Sequence, residues 1–393
     1  MSRALALRTR PAAREARRRF IPALPTLWPG MLSPLAPDLP AAFPLGASRT
    51  TLYYFARNAV YHGARLLGLS GREVLVPAYH HGVEVGALAA AGVVPRFVRV
   101  DGRMRLDLAD AERKIGRRTR ALYVIHYAGF AQPMDEVNAL ARRHGLLVVE
   151  DCALSFLAGE GSRPLGSTGH LGIFCFYKTL PVPNGGALVV NDPAVRGAPS
   201  VPARAPIAST LSHAAGSLLA NLAFRLGDAG EAIRAAVRRG YALARGVSGL
   251  QPVSTGTMSF DPAWKDLGMS PLSAWVARRL DPAEIVAARR RNYFLLLGRL
   301  RDRVPPVFGE VPAGACPLFY PLLCEDKAAV AARLLARGVE TVDFWREGHP
   351  LCPADEFPEV TSLRRRVLEL PVHQDLSPED IAAIAHAVKE ALG

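Results

Sequence analysis

Two side chains in this sequence have the types and surroundings for joint chemistry. Asp151 sits near the end of the apolar run LLVVEDC (146–152), and Lys178 follows the run IFCFY (173–177) in the stretch FYKTLPVPNGGALVV. An ionised carboxylate is costly to bury without a partner, so Asp151 at such a strand end is expected to have one. A lysine among apolar neighbours is more readily a neutral, nucleophilic amine. Each alone also has an ordinary structural role, Asp151 as a helix cap at the strand exit and Lys178 as a residue flanking a strand. Together they match what pyridoxal phosphate requires: a carboxylate on its pyridine nitrogen and an amine on its aldehyde.

Such a pair needs a scaffold that brings strand ends together. From about residue 50 to 192, strand-like runs alternate with helical periodicity. The strands are VLVPAY (74–79), PRFVRV (95–100), ALYVIHY (121–127), LLVVEDC, IFCFY and GALVVND (186–192). The segments 58–69, 83–92, 107–115 and 134–145 read as helices. This rhythm predicts a mainly parallel sheet covered by helices, with function at the carboxyl ends of its strands. Residues 193 to about 262 break the rhythm, being rich in Ala, Arg, Gly and Pro. A second set follows: a long helix from near Pro282, an apolar stretch at 315–324, a helix at 328–339 and a closing helix at 378–392. Ser377, Pro378 and Asp380 provide the start signal of that last helix. The expected organisation is a basic segment 1–45, a large α/β domain 46–262 with a helical insert at about 195–255, and a smaller α+β domain 263–393.

The chain has 393 residues, is half apolar and carries a formal charge of +13. Much of that charge is local: seven arginines against one glutamate precede Phe20, and seven more against Asp228 and Glu231 lie between Val195 and Leu250. Both stretches read as peripheral to the core. No apolar run reaches the roughly eighteen residues of a spanning helix. LLANLAFRL (218–226) could lie in a membrane interface, although a solvated or self-packed helical insert accounts for it better. The five cysteines form no CxxC pair and no metal-ligand spacing, so neither a disulfide framework nor a metal site is expected. With arginines where a secretory signal needs an apolar core, the sequence reads as cytoplasmic, with membrane association through the basic insert as an option. A nucleic-acid role needs basic residues interleaved with aromatics, and none are found.

The segments VLVPAYHHGVEVGALAAAGVVPRFVRVD, TRALYVIHYAGFAQPMDEVNALARRHGLLVVEDCA, GSTGHLGIFCFYKTLPVPNGGALVVND and EFPEVTSLRRRVLELPVHQDLSPEDI, in this order and spacing, resemble the DegT/DnrJ aminotransferases, which act mostly on nucleotide-linked keto sugars. The resemblance covers roughly residues 50–192 and 262–392. It implies the aspartate aminotransferase fold (fold type I of pyridoxal-phosphate enzymes), with Lys178 in a Schiff base and Asp151 on the ring nitrogen. The family's Ser-Gly-Thr turn aligns with Ala56, Arg57 and Asn58. Phosphate is therefore expected on the backbone of that helix start up to Ala59, with help from the Arg57 and Asn58 side chains. His81 takes the place of the aromatic that stacks on the ring, and Cys175 that of a serine near the phosphate. Leu154 and Phe156 stand where the family has Gln and His, which removes a hydrogen bond to the ring oxygen. Asp266 stands for an asparagine that reaches across a dimer, and an extra anion near a phosphate is unfavourable.

The same resemblance makes His126 and Tyr127, in the loop HYAG, and Arg346 and His349, in TVDFWREGHP, candidate substrate contacts. For His126, orientation of its loop is the alternative. It further implies a homodimer, an amino-acid donor such as glutamate and a keto-sugar acceptor in polysaccharide or cell-surface glycan assembly. Dehydration, seen where the lysine is replaced by histidine, is disfavoured because the lysine is present. The other open reading is a degenerate relative that binds cofactor or partners and regulates, supported by Leu154, Phe156 and Asp266 and opposed by the intact Lys178 and Asp151.

Overall fold

The computed structural model describes residues 20–393 other than 36, 201, 249–252, 254–256 and 258, so the arginine-rich start lies outside the described residues. The large sheet has seven strands: β1 (Thr50–Tyr53), β2 (Glu73–Pro77), β3 (Val94–Val98), β4 (Thr119–Ile125), β5 (Leu147–Cys152), β8 (Leu171–Cys175) and β9 (Gly186–Val190). Between β5 and β8 lies a small hairpin, β6 (Gly159–Glu160) with β7 (Arg163–Pro164). The sheet order is β1-β9-β8-β5-β4-β2-β3. From β3 to β8 neighbours run parallel, and β9 and β1 close the other edge antiparallel. The parallel strands read as unbroken apolar runs because both their faces are covered. β1 escapes the sequence pattern: it is only four residues long, with two threonines, and its strand state comes from pairing with β9.

The helices of this domain are α1 (Ala56–Leu66), α2 (Val83–Ala90), α3 (Leu108–Arg113) and α4 (Met134–His144). Their ends follow local chemistry. Asp107 caps α3 by accepting from the Asp110 amide, and Gly145 ends α4 in the left-handed region at φ 62°, where a side chain would be strained. α1 lies flat on the sheet because Gly63 lets it approach: a Cβ there would stand 3.1 Å from Leu171.

Residues 195–255 hold two long helices, α5 (Ile207–Leu226) and α6 (Asp228–Ser248), packed as a hairpin. Gly230 permits the contact, since a Cβ there would lie 2.4 Å from the Leu222 carbonyl oxygen. α5 is docked on the protein, with Ser217 Oγ accepting from the Leu27 amide and Asn221 donating to Thr26 Oγ1. This is the self-packed insert, and 218–226 is part of it. No helix among the described residues is long and apolar enough to cross a membrane.

Two expectations about boundaries need correction. The segment expected as 1–45 is not a separate unit from Phe20 onward, because Ile21 pairs with Val339 and both Ile21 and Leu27 are buried in the core. Residues 263–277, expected to open the small domain, bond to the large one: the Tyr54 amide donates to the Leu267 carbonyl, and Gly268 bridges to Tyr53. This stretch includes α7 (Pro271–Ala277).

The remaining elements are α8 (Pro282–Leu300), β10 (Phe319–Leu323), α9 (Lys327–Ala336), α10 (Pro358–Arg366), β11 (Val367–Pro371) and α11 (Pro378–Leu392). β10 and β11 pair antiparallel, and α8, α9 and α11 pack around a core that includes Leu296, Leu334, Leu370 and Ile384. α11 begins with the anticipated reciprocal cap between Ser377 and Asp380.

Candidate active site

Asp151 and Lys178 line one cavity of about 350 Å³. Asp151 stands at the carboxyl end of β5, and Lys178 in the turn after the neighbouring β8. The starts of α1 and α2 close the cavity from the large domain, contributing Ala56, Arg57, His81 and Glu84, while Val342, Asp343, Phe344 and Trp345 close it from the other side. Asp151 Oδ2 accepts from Tyr123 Oη at 2.6 Å, and Oδ1 from the Ala153 amide at 2.8 Å. Burial pushes the Asp151 carboxyl above its usual range, although these two bonds and the Lys178 charge oppose the shift. A cation placed against it would therefore be strongly favoured. The Lys178 ammonium lies 4.8 Å from the Phe344 ring centre and has no hydrogen-bond or ion-pair partner among the described residues.

His81 lines the cavity as expected. Its backbone amide donates to Glu84 Oε1 at 2.8 Å, which fixes the loop before α2. Its Nδ1 is buried and has no partner among the described residues. Burial, with the positive Lys178, Arg57 and Arg364, depresses its pKa to about 3, so the ring is neutral at physiological pH. A neutral flat ring is what stacking on a pyridinium requires.

The expected phosphate end is only partly realised. α1 starts without a side-chain cap, as Phe55 at its N-cap offers none, and a helix start of this kind favours an anion. The Arg57 guanidinium lies over the Phe55 ring at 3.6 Å, and burial lowers its pKa. Asn58 does not face the cavity: its side-chain amide donates to the carbonyls of Trp264 and Leu267 and holds the 264–267 loop. Ala59 is packed in the core. Cys175 lines the cavity beside Tyr177. Asp266 does not line it; its carboxylate is ion-paired with Lys265 and lies 3.2 Å from His62 Nε2. The Lys265 cation of the same chain thus offsets the extra anion. Leu154 lines the cavity as an apolar wall, and Phe156 packs edge-on against Phe174 and Phe176 behind it.

All four expected substrate contacts lie elsewhere. His126 is fully buried, with Nε2 3.1 Å from Glu150 Oε2 and Nδ1 accepting from the Gln132 amide, so it organises its loop. The Tyr127 hydroxyl donates to the Tyr79 carbonyl at 2.7 Å. Arg346 is exposed outside the cavity lining. The His349 amide donates to His80 Nε2, and His349 Nδ1 accepts from the Leu351 amide, which ties down the loop. In TVDFWREGHP it is Asp343, Phe344 and Trp345 that line the site, and Arg346 and His349 do not.

Glu84 is the largest omission from the sequence reading. It is buried, its neighbours are Asp151 and Lys178, and burial together with the Asp151 charge raises its pKa to about 7. A signal existed: it is the one charged residue in VEVGALAAAG. From the sequence Tyr123 shows only as a residue of the strand 121–127.

The side chains present fit pyridoxal phosphate. A buried carboxylate wanting a cation, an amine and a His81 nitrogen without partners among the described residues, and an uncapped helix start face one space of suitable size.

Residues 57–199 match the DegT/DnrJ/EryC1/StrS aminotransferase family. An L-glutamine:scyllo-inosose aminotransferase from Streptomyces griseus is 39% identical over 126 residues, covering 31% of this chain and 30% of that relative. A GDP-perosamine synthase from Escherichia coli O157:H7 is 34% identical over 130 residues, covering 32% and 36%. The matched segment thus spans about a third of these relatives. Among solved structures, a DegT DnrJ EryC1 StrS aminotransferase from Brucella abortus superposes with a TM-score of 0.61 at 22% identity, covering 89% of this chain and 87% of that one. Residues 57–199 are thus similar to the DegT/DnrJ/EryC1/StrS aminotransferase family, and the fold of the solved structure extends over most of the chain.

Proposed function

We propose that this protein is a pyridoxal-phosphate-dependent aminotransferase that moves an amino group from an amino-acid donor, glutamate or glutamine, to the keto group of a nucleotide-linked sugar. The observation that carries the reading is the shared cavity: the Lys178 amine has no hydrogen-bond or ion-pair partner among the described residues, and Asp151 is held by Tyr123 in the same space. The relatives named above act on sugar or cyclitol substrates and support the acceptor class.

Lys178 would hold the cofactor and Asp151 its ring nitrogen, with His81 against the ring and the start of α1 with Arg57 at its phosphate. Bound there, pyridoxal phosphate supplies an aldehyde to the amine and an electron-withdrawing ring to the substrate. Asp151, fixed at both oxygens, holds a proton on the ring nitrogen. Phe344, Trp345 and Leu154 exclude water from the reacting carbon. Lys178, set on a turn instead of inside a strand, is placed to take the proton from the donor's α-carbon and return it.

One uncapped helix start and one arginine are few donors for a phosphate dianion, which supports a homodimer whose second subunit completes that end. Light scattering at micromolar concentration tests this, with a monomer as the contrary result.

The main test is the absorption spectrum with pyridoxal phosphate, before and after each donor, for wild type and Lys178→Ala. A visible band absent from the variant and bleached by glutamate or glutamine supports the reading. A band that no donor bleaches favours a cofactor-binding regulator, and no band in wild type sinks the enzyme.

A further inference from the structure

Helix α5 is amphipathic with its two faces exchanged. Its polar side chains turn inward: Ser209 shares a hydrogen bond with the Tyr54 hydroxyl at 2.9 Å, Thr210 Oγ1 accepts from the Asn184 side-chain amide, Ser217 Oγ from the Leu27 amide, and Asn221 donates to Thr26. Its large apolar side chains turn outward. Ile207, Leu211, Leu218, Leu222 and Leu226 recur at helical spacing and form one stripe. Ile207 is 76% exposed and Leu211 58%, Leu226 is exposed as well, and Leu218 and Leu222 are half-buried. A helix packed on a protein in water normally buries its apolar stripe and leaves the polar one to solvent. The reversed arrangement suits a helix whose outer side meets an apolar medium.

Helix α6 adds to that surface and rims it with charge. Ile233 and Val237, one turn apart, are exposed, and at about 100° per residue Arg238 and Arg239 stand on either side of them. The hairpin thus carries five of the twelve large apolar side chains that are exposed among the described residues, which concentrates them on one part of the molecule. Between 204 and 240 five arginines (204, 225, 234, 238 and 239) face only Asp228 and Glu231, so the surface is basic. The side chains of Arg204, Arg238 and Arg239 have no hydrogen-bond or ion-pair partner among the described residues. Arg225 lies over the ring of the exposed Trp28. The other arginine cluster of the sequence, residues 1–19, is attached beside this hairpin, since the Arg234 guanidinium lies 4.6 Å from the ring centre of Phe20.

We propose that the outer face of the α5–α6 hairpin docks on an anionic lipid bilayer, with the apolar stripes in the headgroup boundary and the arginines on lipid phosphates. The hairpin lies along the bilayer surface, as no helix among the described residues is long and apolar enough to cross it. A second copy of this chain suits the face less well, because two-fold pairing sets the arginines of one copy against those of the other. The inference goes beyond the aminotransferase reading and stands apart from it, since it concerns where the protein works and not what it does.

The experiment is flotation of the full chain with vesicles of phosphatidylcholine alone and of phosphatidylcholine with phosphatidylglycerol in equal parts. It compares wild type with the double variants Ile207→Glu/Leu211→Glu and Arg238→Glu/Arg239→Glu, with Val237→Glu on the other helix as a further apolar variant should the first fail to fold. Urea midpoints and light scattering report fold and size for each protein. Wild type is expected to float with the mixed vesicles and not with the neutral ones, and each double variant to lose tenfold or more in partitioning at an unchanged urea midpoint. No binding of wild type to the mixed vesicles overturns the proposal. So does binding unchanged by the apolar substitutions, which assigns the contact to charge alone or to residues 1–19. An associated wild type that the apolar substitutions make smaller identifies the face as a contact between copies and overturns it too. None of these outcomes bears on the absorption test of the aminotransferase.

Discussion

Tyr123 and Asp151 lie on adjacent parallel strands, and the phenol donates to the carboxylate at 2.6 Å. The register pairs Asp151 with Ile125, two residues beyond Tyr123, so the two side chains leave the sheet on the same face. The bond opposes the rise in the Asp151 pKa that burial causes.

Removing it has a defined consequence. In Tyr123→Phe, Asp151 keeps only the Ala153 amide, and a hydrogen bond to a charged group contributes about 1.5–3 kcal/mol. The dissociation constant of pyridoxal phosphate, measured by titrating the visible band, is expected to rise about tenfold. An unchanged constant would show that Asp151 does not carry the ring nitrogen.

The two acids of VVEDC should fail differently. Glu150 points to the opposite face, where it accepts from the Gly166 amide, from the Thr168 amide and hydroxyl, from the Gly169 amide and from His126. Burial pushes its pKa up, but the His126 contact and the Gly169 and Gly166 amides outweigh that, and the net lies below the usual range. Its stabilisation is therefore present above the ordinary carboxylate pKa and is lost as pH falls through the depressed value. Glu150→Leu orphans several buried donors and is expected to cost about 3 kcal/mol or more in urea unfolding. Asp151→Asn should leave the unfolding midpoint nearly unchanged and abolish the donor half-reaction. The reverse pattern would exchange the roles assigned to the two acids.

Glu84 should make stability fall with rising pH. Its pKa is raised from 4.5 to about 7 by burial and then by Asp151. As pH rises the unfolded chain loses this proton first, so stability declines between about 4.5 and 7 and is level above. At about 1.4 kcal/mol per pKa unit the penalty at pH 8 is ~3 kcal/mol. Glu84→Gln removes it, so the variant should be the more stable protein at pH 8, and the two should converge near pH 4.5. Urea midpoints at pH 5 and pH 8 check this, and parallel behaviour of the two proteins would contradict it.

In the loop 341–350, the aromatics should matter more than the charges. Phe344 lies over Lys178, whereas Arg346 faces outward. Phe344→Ala is expected to lower kcat at least tenfold in the donor half-reaction, and Arg346→Ala to leave it within about twofold. Stopped-flow bleaching of the visible band measures both. Equal sensitivity would return Arg346 to the site.

The sequence by itself determined the alternation of strands and helices, the capped ends of α3, α4 and α11, and the placing of Asp151 and Lys178 at strand ends, which the sheet then made neighbours. These follow from local chemistry: apolar runs, capping side chains, a glycine at positive φ. Only the tertiary structure decided which way side chains turn at equal sequence distance. It spent Asn58 on the 264–267 loop, His126 on Glu150 and His349 on its own loop, because a buried polar group takes the nearest partner that satisfies it. It also turned Glu84 inward beside Asp151 and brought Phe344 over Lys178 from more than a hundred residues away. No sequence period encodes those contacts, since they depend on how elements far apart in the chain pack together.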